Sequence, residues 1–579
     1  MTTPLTDTQL ALATSPVSTF AMACPGAGKT RAIVERFLRR TQEEPRKGVA
    51  LVSFTNTAIE EIKIRCADRT DAVRAPNFLG TFDGFLHRFI VTPLFPHVYG
   101  IHPRYVQSWD DLRSAKFTTG HTGYQLPIKL SWFDYAHDGK AHLKIDEIPP
   151  PITDEFKKLL ALHRDEIEKR AGQTYLRFLR AGTVTCDAAR VLTSRFLTSR
   201  KGPDTLRRLV GVRFAEIIVD EAQDCGEEEL AALEFLRQCG VTIVMVGDLD
   251  QSIFEFRRAL PDKVAAYGAS LPSTVAMTEN FRSSPAVCSF NNALRSGPMT
   301  ESAAGAHASV TTPVILISYT QPSTIAAQVI TLGQRYGIAA ADLVILAHRE
   351  KDGLKAVGKT AFTLSSNRVL AIADAGRQLR SQTFDAKSRQ AAIIKVEKLI
   401  VDSVLGIDPG HRTHDRVCEE EGIDPRWLRD LAVRIATRLD PAGMTAAAYA
   451  KAVRACLAST DWGCRTPQAN LGNIIKAPSA ADWAKLISAG QHDGLATSTV
   501  HRAKGREYRG VALVLPQMKS GQRTVLDDWE LGTDSEARRV LYTAGSRAQE
   551  LLIVAAPQRH ADRVAKLFVR DSIIHAIDR

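Results

Sequence analysis

Residues 23–30 read ACPGAGKT, a run of small residues closed by a lysine and a hydroxyl side chain. Glycines let backbone N–H groups approach phosphate oxygens, a lysine ammonium reaches the β and γ phosphates, and a threonine hydroxyl ligates Mg²⁺. Gly26 and Gly28 suit the first task, Lys29 the second and Thr30 the third, with Ala23, Pro25, Ala27 and Arg31 completing the candidate lining. Ala23 stands where such loops usually begin with glycine. A nucleotide site also needs a carboxylate at the end of a neighbouring strand, and IIVDEAQD provides two. Asp220 suits the Mg²⁺ shell, and Glu221 suits orienting and deprotonating a water. A solvated turn explains an acidic pair equally well when it stands alone. Beside a phosphate loop, the pair predicts ATP hydrolysis.

These groups need strands and helices to hold them. VSTFAMA (17–23) reads as a short buried strand, and TRAIVERFLRR behind the loop has helical apolar spacing. GVALVSF (48–54), FLGTF (78–82), FAEIIVD (214–220) and VTIVMVGD (241–248) are further strand candidates. Alternation of strands with helices predicts an α/β chain with a parallel sheet covered on both faces. The alternation breaks down over residues 90–210, which reads as an insertion. The stretch 296–313 is small and polar and reads as a flexible linker or long loop. Strands resume at VILIS and DLVILAHRE, residues 350–490 are mostly helical and charged, and GVALVLP (510–516) and LLIVAAP (551–557) return to strand. Two sheet domains, each interrupted by a mainly helical insertion, is the simplest layout.

The 579 residues exceed what one core organises. At 44% hydrophobic and 24% charged, the composition is that of a soluble globular protein, with no apolar run approaching the roughly 18 residues of a membrane span. Nine cysteines lack any C-x-x-C pair, so neither a zinc site nor a disulfide framework is expected. The opening MTTPLTDTQL has no signal-peptide character, and a cytoplasmic location is expected. The formal charge is +11, and residues 169–213 hold eleven basic residues against Asp187 and Asp204. Such a stripe tracks a phosphate backbone or forms a solvated helical face. His411 and His414 in HRTH suggest either a metal pair or a surface helix end, and the missing further ligands favour the latter.

The order of motifs resembles the superfamily 1 DNA helicases of the UvrD/Rep type. LTDTQLALA is similar to the adenine-reading Q motif, with Gln9; LVSFTNTAIEEIKIR and GTFDGFLHRF follow it, then VDEAQD, VGDLDQSIFEFRRA, MTENFRSSPAV, TSTVHRAKGREYRG and EARRVLYTAGSRA. The resemblance covers both sheet domains, and the insertions match only in position and character. It implies two RecA-like domains: a first ATPase domain from 1–90 and 210–280 with insertion 91–209, and a second from 281–350 and 490–579 with insertion 351–489. It further implies that Gln251 senses the γ-phosphate, that Arg282 and Arg547 act as paired arginine fingers, that Phe281 stacks on adenine and that Glu507 contacts the ribose. Phosphoryl transfer is catalysed by positioning and cations, so two arginines closing over a cleft would couple hydrolysis to domain closure.

For single-stranded and partly duplex DNA, the resemblance implies contacts from Phe54, Thr55, Asn56, Thr81, Phe256, Arg349 and His501. Stacking on bases contributes about 1–3 kcal/mol each without regard to sequence, although Phe54 also fits a buried core. Three departures stand out: CPGAGKT in the loop, Asp83 where the family usually has histidine, and Gly545 with Ser546 in place of a larger residue and threonine. Asp83 would set a negative charge near the strand path. No nuclease domain is expected in the residues after Arg547. The implied activity is ATP- and Mg²⁺-dependent 3′-to-5′ translocation and unwinding. The alternative is a DNA-responsive ATPase subunit regulating a partner nuclease encoded nearby. The wording of CPGAGKT and GTFDGFLHRF is similar to compact UvrD-like subunits of bacterial anti-phage systems, such as the helicase subunit of Gabija.

Overall fold

The computed structural model describes residues 4–578, apart from 113, 119–126, 137, 149–151, 254–259, 359–366, 381–385, 409–413, 464, 491–494 and 517–522. Two six-stranded parallel sheets organise it. The first comprises β1 (Thr19–Ala23), β2 (Gly48–Ser53), β3 (Phe78–Thr81), β4 (Phe214–Val219), β5 (Thr242–Gly247) and β6 (Ser273–Met277), in spatial order β6-β1-β5-β4-β2-β3. The second comprises β7 (Val314–Tyr319), β8 (Leu343–Ala347), β9 (Ala496–Thr499), β10 (Tyr508–Val514), β11 (Ala548–Pro557) and β12 (His575–Asp578), in order β9-β8-β10-β11-β7-β12. This is the expected α/β class with two RecA-like sheets. Their central strands are near-continuous runs of Val, Ile, Leu and Ala because helices bury both faces.

The two segments inserted between strands differ in how they are attached. Residues 91–209 share one continuous core with a face of the first sheet, in which Phe78, Phe85, Phe89 and Phe214 run into Trp109, Tyr175 and Phe178. The part before the helix Asp154–Leu162 contains short strands and 3-10 turns, such as Phe133–Tyr135 paired with Ala141–Leu143, and is less helical than expected. Aromatic residues there pack without helical spacing, and Tyr135 stacks on Tyr175 at 4.0 Å. Residues 369–486 instead bury a core of their own, built on Leu370, Leu431, Tyr449 and Trp483.

The stretch 296–313 is a correction to the sequence reading. It is no free linker: Ser302–Ala303 pairs in parallel with Glu279–Asn280, and Glu301 is buried. Its small residues permit close packing here.

Glu216 in β4 is fully buried, which its charge would not predict. Arg36 of the helix Lys29–Glu43 meets it through two bonds of 2.6 and 2.9 Å and also donates to the Leu12 carbonyl at 2.7 Å. Arg40 adds a third contact at 3.2 Å. This cluster ties the phosphate-loop helix to the strand bearing Asp220. Arg36→Met should destabilise the fold by about 3–5 kcal/mol, because it strands a carboxylate in the core. Denaturant titration checks this, and the double variant Arg36→Met/Glu216→Leu should recover most of the loss.

Candidate nucleotide and nucleic-acid site

β1 ends at Ala23, and the chain turns through residues 24–28 into the helix Lys29–Glu43. Gly26 (φ +70°) and Gly28 (φ +76°) hold left-handed backbone that favours glycine. Space is as decisive as angle. A Cβ on Gly26 would lie 2.5 Å from Asn280 Oδ1, and one on Gly28 would lie 2.5 Å from Gln9 Nε2. Gln9, expected to read adenine, is buried and donates from Nε2 to the Ala27 carbonyl at 3.0 Å, so it braces the loop from behind. Lys29 Nζ lies 3.4 and 3.5 Å from the carbonyls of Cys24 and Ala23, folded over the loop. Thr30 and Arg31 follow on the first turn of the helix, while Pro25 and Ala27 form the bend.

Asp220 follows β4 directly and donates its backbone N–H to the Val52 carbonyl of β2 at 2.8 Å. Burial and the adjacent Glu221 charge push its carboxyl up to about 7. Glu221 adopts φ 56°, ψ 42°, a left-handed backbone outside glycine, and its N–H donates to Asp220 Oδ1 at 3.0 Å. Non-glycine residues pay about 1–2 kcal/mol for that conformation. Desolvation raises the Glu221 carboxyl, but Lys504 and Lys29 outweigh it and hold the group below the usual carboxylate range.

The second sheet supplies cations opposite this pair. Arg547 is 3% exposed and donates from Nη2 to Gln251 Oε1 at 2.8 Å, while Gln251 Nε2 donates to Asp248 Oδ2 at 2.8 Å. Burial, then repulsion from Arg282, lowers the Arg547 guanidinium to about 10. Arg282 donates to Glu507 Oε1 at 2.6 Å and to the Ser546 carbonyl at 3.0 Å. Its buried Nε has no hydrogen-bond partner among the described residues. An orphaned guanidinium N–H beside a left-handed glycine cradle fits a polyanionic ligand. Phe281 is 37% exposed, and its N–H donates to the Gly26 carbonyl at 3.0 Å.

The two departures near Arg547 have physical reasons. A Cβ on Gly545 would lie 2.8 Å from the Phe290 ring. Ser546 Oγ accepts from Arg547 Nη2 at 2.8 Å and donates to the Thr543 carbonyl at 2.8 Å, so a small hydroxyl residue steers the guanidinium.

Sequence reasoning missed Lys504. Its side chain is 7% exposed, and Nζ lies 2.7 Å from Asp224 Oδ2, 3.3 Å from the Gln251 carbonyl and 3.9 Å from Glu221 Oε2. It therefore crosses from the second sheet to the loop bearing Glu221. Its presence in TSTVHRAKGREYRG was a signal, but the partner in VDEAQD is visible only once the two sheets are docked.

The residues expected to contact nucleic acid cluster at strand ends. Phe54 and Thr55 follow β2, and Thr81 ends β3, paired in register with Ser53. Phe54 is half-buried and stacked on Phe82 at 5.7 Å. Thr55 caps the helix Asn56–Arg65 by accepting from the Ala58 N–H at 3.2 Å, and Thr81 accepts from the Gly84 N–H at 3.1 Å. Asn56 is exposed. Across the cleft, Arg349 is exposed after β8, and His501, after β9, places Nε2 3.0 Å from the Ile253 carbonyl. Burial lowers the His501 imidazole, favouring its neutral form. Phe256 lies outside the described residues.

Asp83 presents no free charge to this track. Arg190 grips it through two bonds of 2.9 Å and also meets Glu229 at 2.9 Å. This removes Arg190 from the basic stripe. Arg213 also turns inward, over the rings of Phe89 and Phe214. Arg177 and Arg180 stay exposed, and half-buried Arg195 donates to the Tyr99 hydroxyl at 3.0 Å. His411 lies outside the described residues. His414 Nε2 is 3.5 Å from Glu397, which Arg429 also holds, and no metal-binding cluster occurs among the described residues. No described helix is long and apolar enough to cross a membrane.

Comparison with known proteins agrees with this geometry. Residues 5–268 match the UvrD/REP helicase N-terminal domain. The chain is 26% identical over 305 residues to DNA helicase II of Escherichia coli (strain K12), covering 50% of this chain and 40% of that protein. It is 25% identical over 291 residues to the putative ATP-dependent DNA helicase YjcD of Bacillus subtilis (strain 168), covering 46% and 35%. It is 25% identical over 265 residues to the ATP-dependent DNA helicase srs2 of Schizosaccharomyces pombe (strain 972), covering 41% and 28%. The aligned part is thus less than half the length of each relative.

Proposed function

From a chain that belongs with the superfamily 1 UvrD-like helicases, we infer an ATP-dependent motor that moves 3′ to 5′ along single-stranded DNA and unwinds duplex ahead of it. The observation that carries the reading is the facing of two charge sets across one cleft. Lys29, Asp220, Glu221 and Gln251 come from the first sheet, and Arg547, bonded to Gln251, comes from the other side with Arg282 beside it.

The proposed chemistry assigns each residue one task. Backbone N–H groups of 26–28 and the Lys29 ammonium hold the phosphates of ATP. Thr30 and Asp220 would hold Mg²⁺, which would supply positive charge against the phosphates. Glu221, kept ionised by Lys504 and Lys29, accepts the proton of the attacking water. Arg547 and Arg282 stabilise charge on the transferring group, and Phe281 flanks the base. Because the arginines belong to the second sheet, binding and release of ATP alter how the two sheets close. Phe54 and the strand-end residues beside it hold DNA while this happens. Cytoplasmic DNA is the proposed substrate.

A strand-displacement assay under single-turnover trapping tests the reading. ATP-dependent displacement from a 3′-tailed duplex is expected. DNA-stimulated ATPase without displacement would favour the alternative of gating a partner nuclease.

The exposed arginines make a separate prediction. Replacing Arg177, Arg180 and Arg195 with glutamine should weaken DNA binding while leaving unstimulated ATPase unchanged. Each lost phosphate contact should flatten the slope of log K against log salt by about 0.7–0.9. An unchanged slope in a salt titration would exclude these arginines from the DNA path.

A further inference from the structure

We propose that the segment 301–307 is a clamp that sets the catalytic arginines against the phosphate loop, with Glu301 as its positioning residue. The inference rests on the ATPase reading above and extends it to a stretch outside every recognised motif. Glu301 is 4% exposed, and its carboxylate is shared by three donors from the second half of the site. Oε1 accepts from Asn280 Nδ2 at 3.1 Å and from Asn291 Nδ2 at 2.7 Å, and Oε2 faces Arg295 Nη2 at 3.5 Å.

Two branches leave this carboxylate. Along the first, Asn280 Oδ1 accepts the N–H groups of Arg282 (2.8 Å) and Ser283 (2.9 Å), and the same oxygen crowds Gly26 of the phosphate loop. Along the second, Arg295 contacts Asp248 at 3.3 Å and Asp250 at 3.0 Å. Asp248 then accepts from Gln251 Nε2, whose carbonyl oxygen receives Arg547. A single carboxylate therefore fixes the backbone of one arginine finger and, through Asp248, the hydrogen-bond partner of the other.

The remainder of the segment holds the clamp shut. Ser302 donates its backbone N–H to the Thr278 carbonyl (3.0 Å) and Ala304 to the Asn280 carbonyl (2.8 Å), and a Cβ on Gly305 would lie 2.0 Å from the Phe281 carbonyl oxygen. Buried hydrogen-bonded networks of this kind are rigid and fail cooperatively. The sequence places small residues where the chain must press on Phe281 and a lone acid where it must gather donors.

The test uses the full chain and compares Glu301→Gln with wild type. DNA-stimulated kcat should fall at least about tenfold, with the KM for ATP changed less than about threefold, as expected when only transition-state contacts are lost. Affinity for ADP with aluminium fluoride should fall in parallel, and affinity for ADP alone should stay constant. If Glu301→Gln does not fold, Gly305→Val, which presses on Phe281 without touching the ion pairs, should show the same loss of aluminium fluoride affinity. Wild-type values for ADP with aluminium fluoride in whichever variant folds would overturn the clamp. Absence of ATPase in the wild-type chain would overturn the motor reading itself.

Discussion

Glu221→Gln is expected to bind ATP as tightly as wild type and to lose DNA-stimulated turnover by about a hundredfold or more, the range for removal of a positioned general base. The substitution keeps the length of the side chain and a polar contact for Gln223. It also leaves the backbone bond from residue 221 to Asp220 intact. What it removes is a carboxylate held ionised between Lys504 and Lys29. Glutamine is the informative replacement because glycine would relieve the left-handed backbone at this position and confound chemistry with conformation. Lys29→Ala should instead lose productive nucleotide binding. Single-turnover hydrolysis beside equilibrium binding of a fluorescent ATP analogue separates the two variants. Wild-type hydrolysis by Glu221→Gln would remove this residue from the reaction.

What the sequence conceals follows from where burial is incomplete. The central strands were legible because both faces are buried, which leaves apolar runs such as GVALV and, past the buried Glu216, IIV. In the two large sheets, three strands escaped sequence reading: β6, β9 and β12. All lie at sheet edges, where half-exposed residues such as the STVAM of β6 alternate too weakly to register. The fourth edge strand, β3, was legible because Phe78 anchors it and turn signals bound it.

The site divides in the same way. Lys29, Asp220 and Glu221 declare themselves because their chemistry is local to a loop or a strand end. Lys504 and the Arg190–Asp83 pair act across long separations, so their partners stay hidden even where the residue itself stands in a motif, and Glu301 gathers nearer donors from a stretch outside every motif. Asp83 shows the cost of local reading: as an isolated acid it argues against a DNA path, whereas gripped by Arg190 it is a tether between the first sheet and its insertion. The stretch 296–313 teaches the complementary lesson, since glycine and alanine signal close packing as readily as freedom.

Arg547→Ala should reduce kcat/KM by about a thousandfold, the lower end for an arginine finger, and should cost more than Arg282→Ala. The asymmetry comes from their partners. Arg282 lies 2.6 Å from Glu507, so part of its charge is already answered. Arg547 hydrogen-bonds to Gln251, Ser546 and Thr543, all neutral, which in the proposed mechanism leaves its charge for the transferring phosphate. With its guanidinium lowered only to about 10, Arg547 stays protonated through neutral pH, and the rate should show no titration from this residue between pH 6 and pH 8. Arg547→Lys should rescue little, because a lysine lacks the planar fork that reaches Gln251 and the cleft together. Gln251→Ala should share the defect, since it removes the group that aims Arg547. In a double-mutant cycle the two losses should fall well short of additive, as they do for residues acting as one unit. Fully additive losses would mean that the 2.8 Å contact between Gln251 and Arg547 does not survive into the reacting state, and that closure of the two sheets is set elsewhere in the cleft.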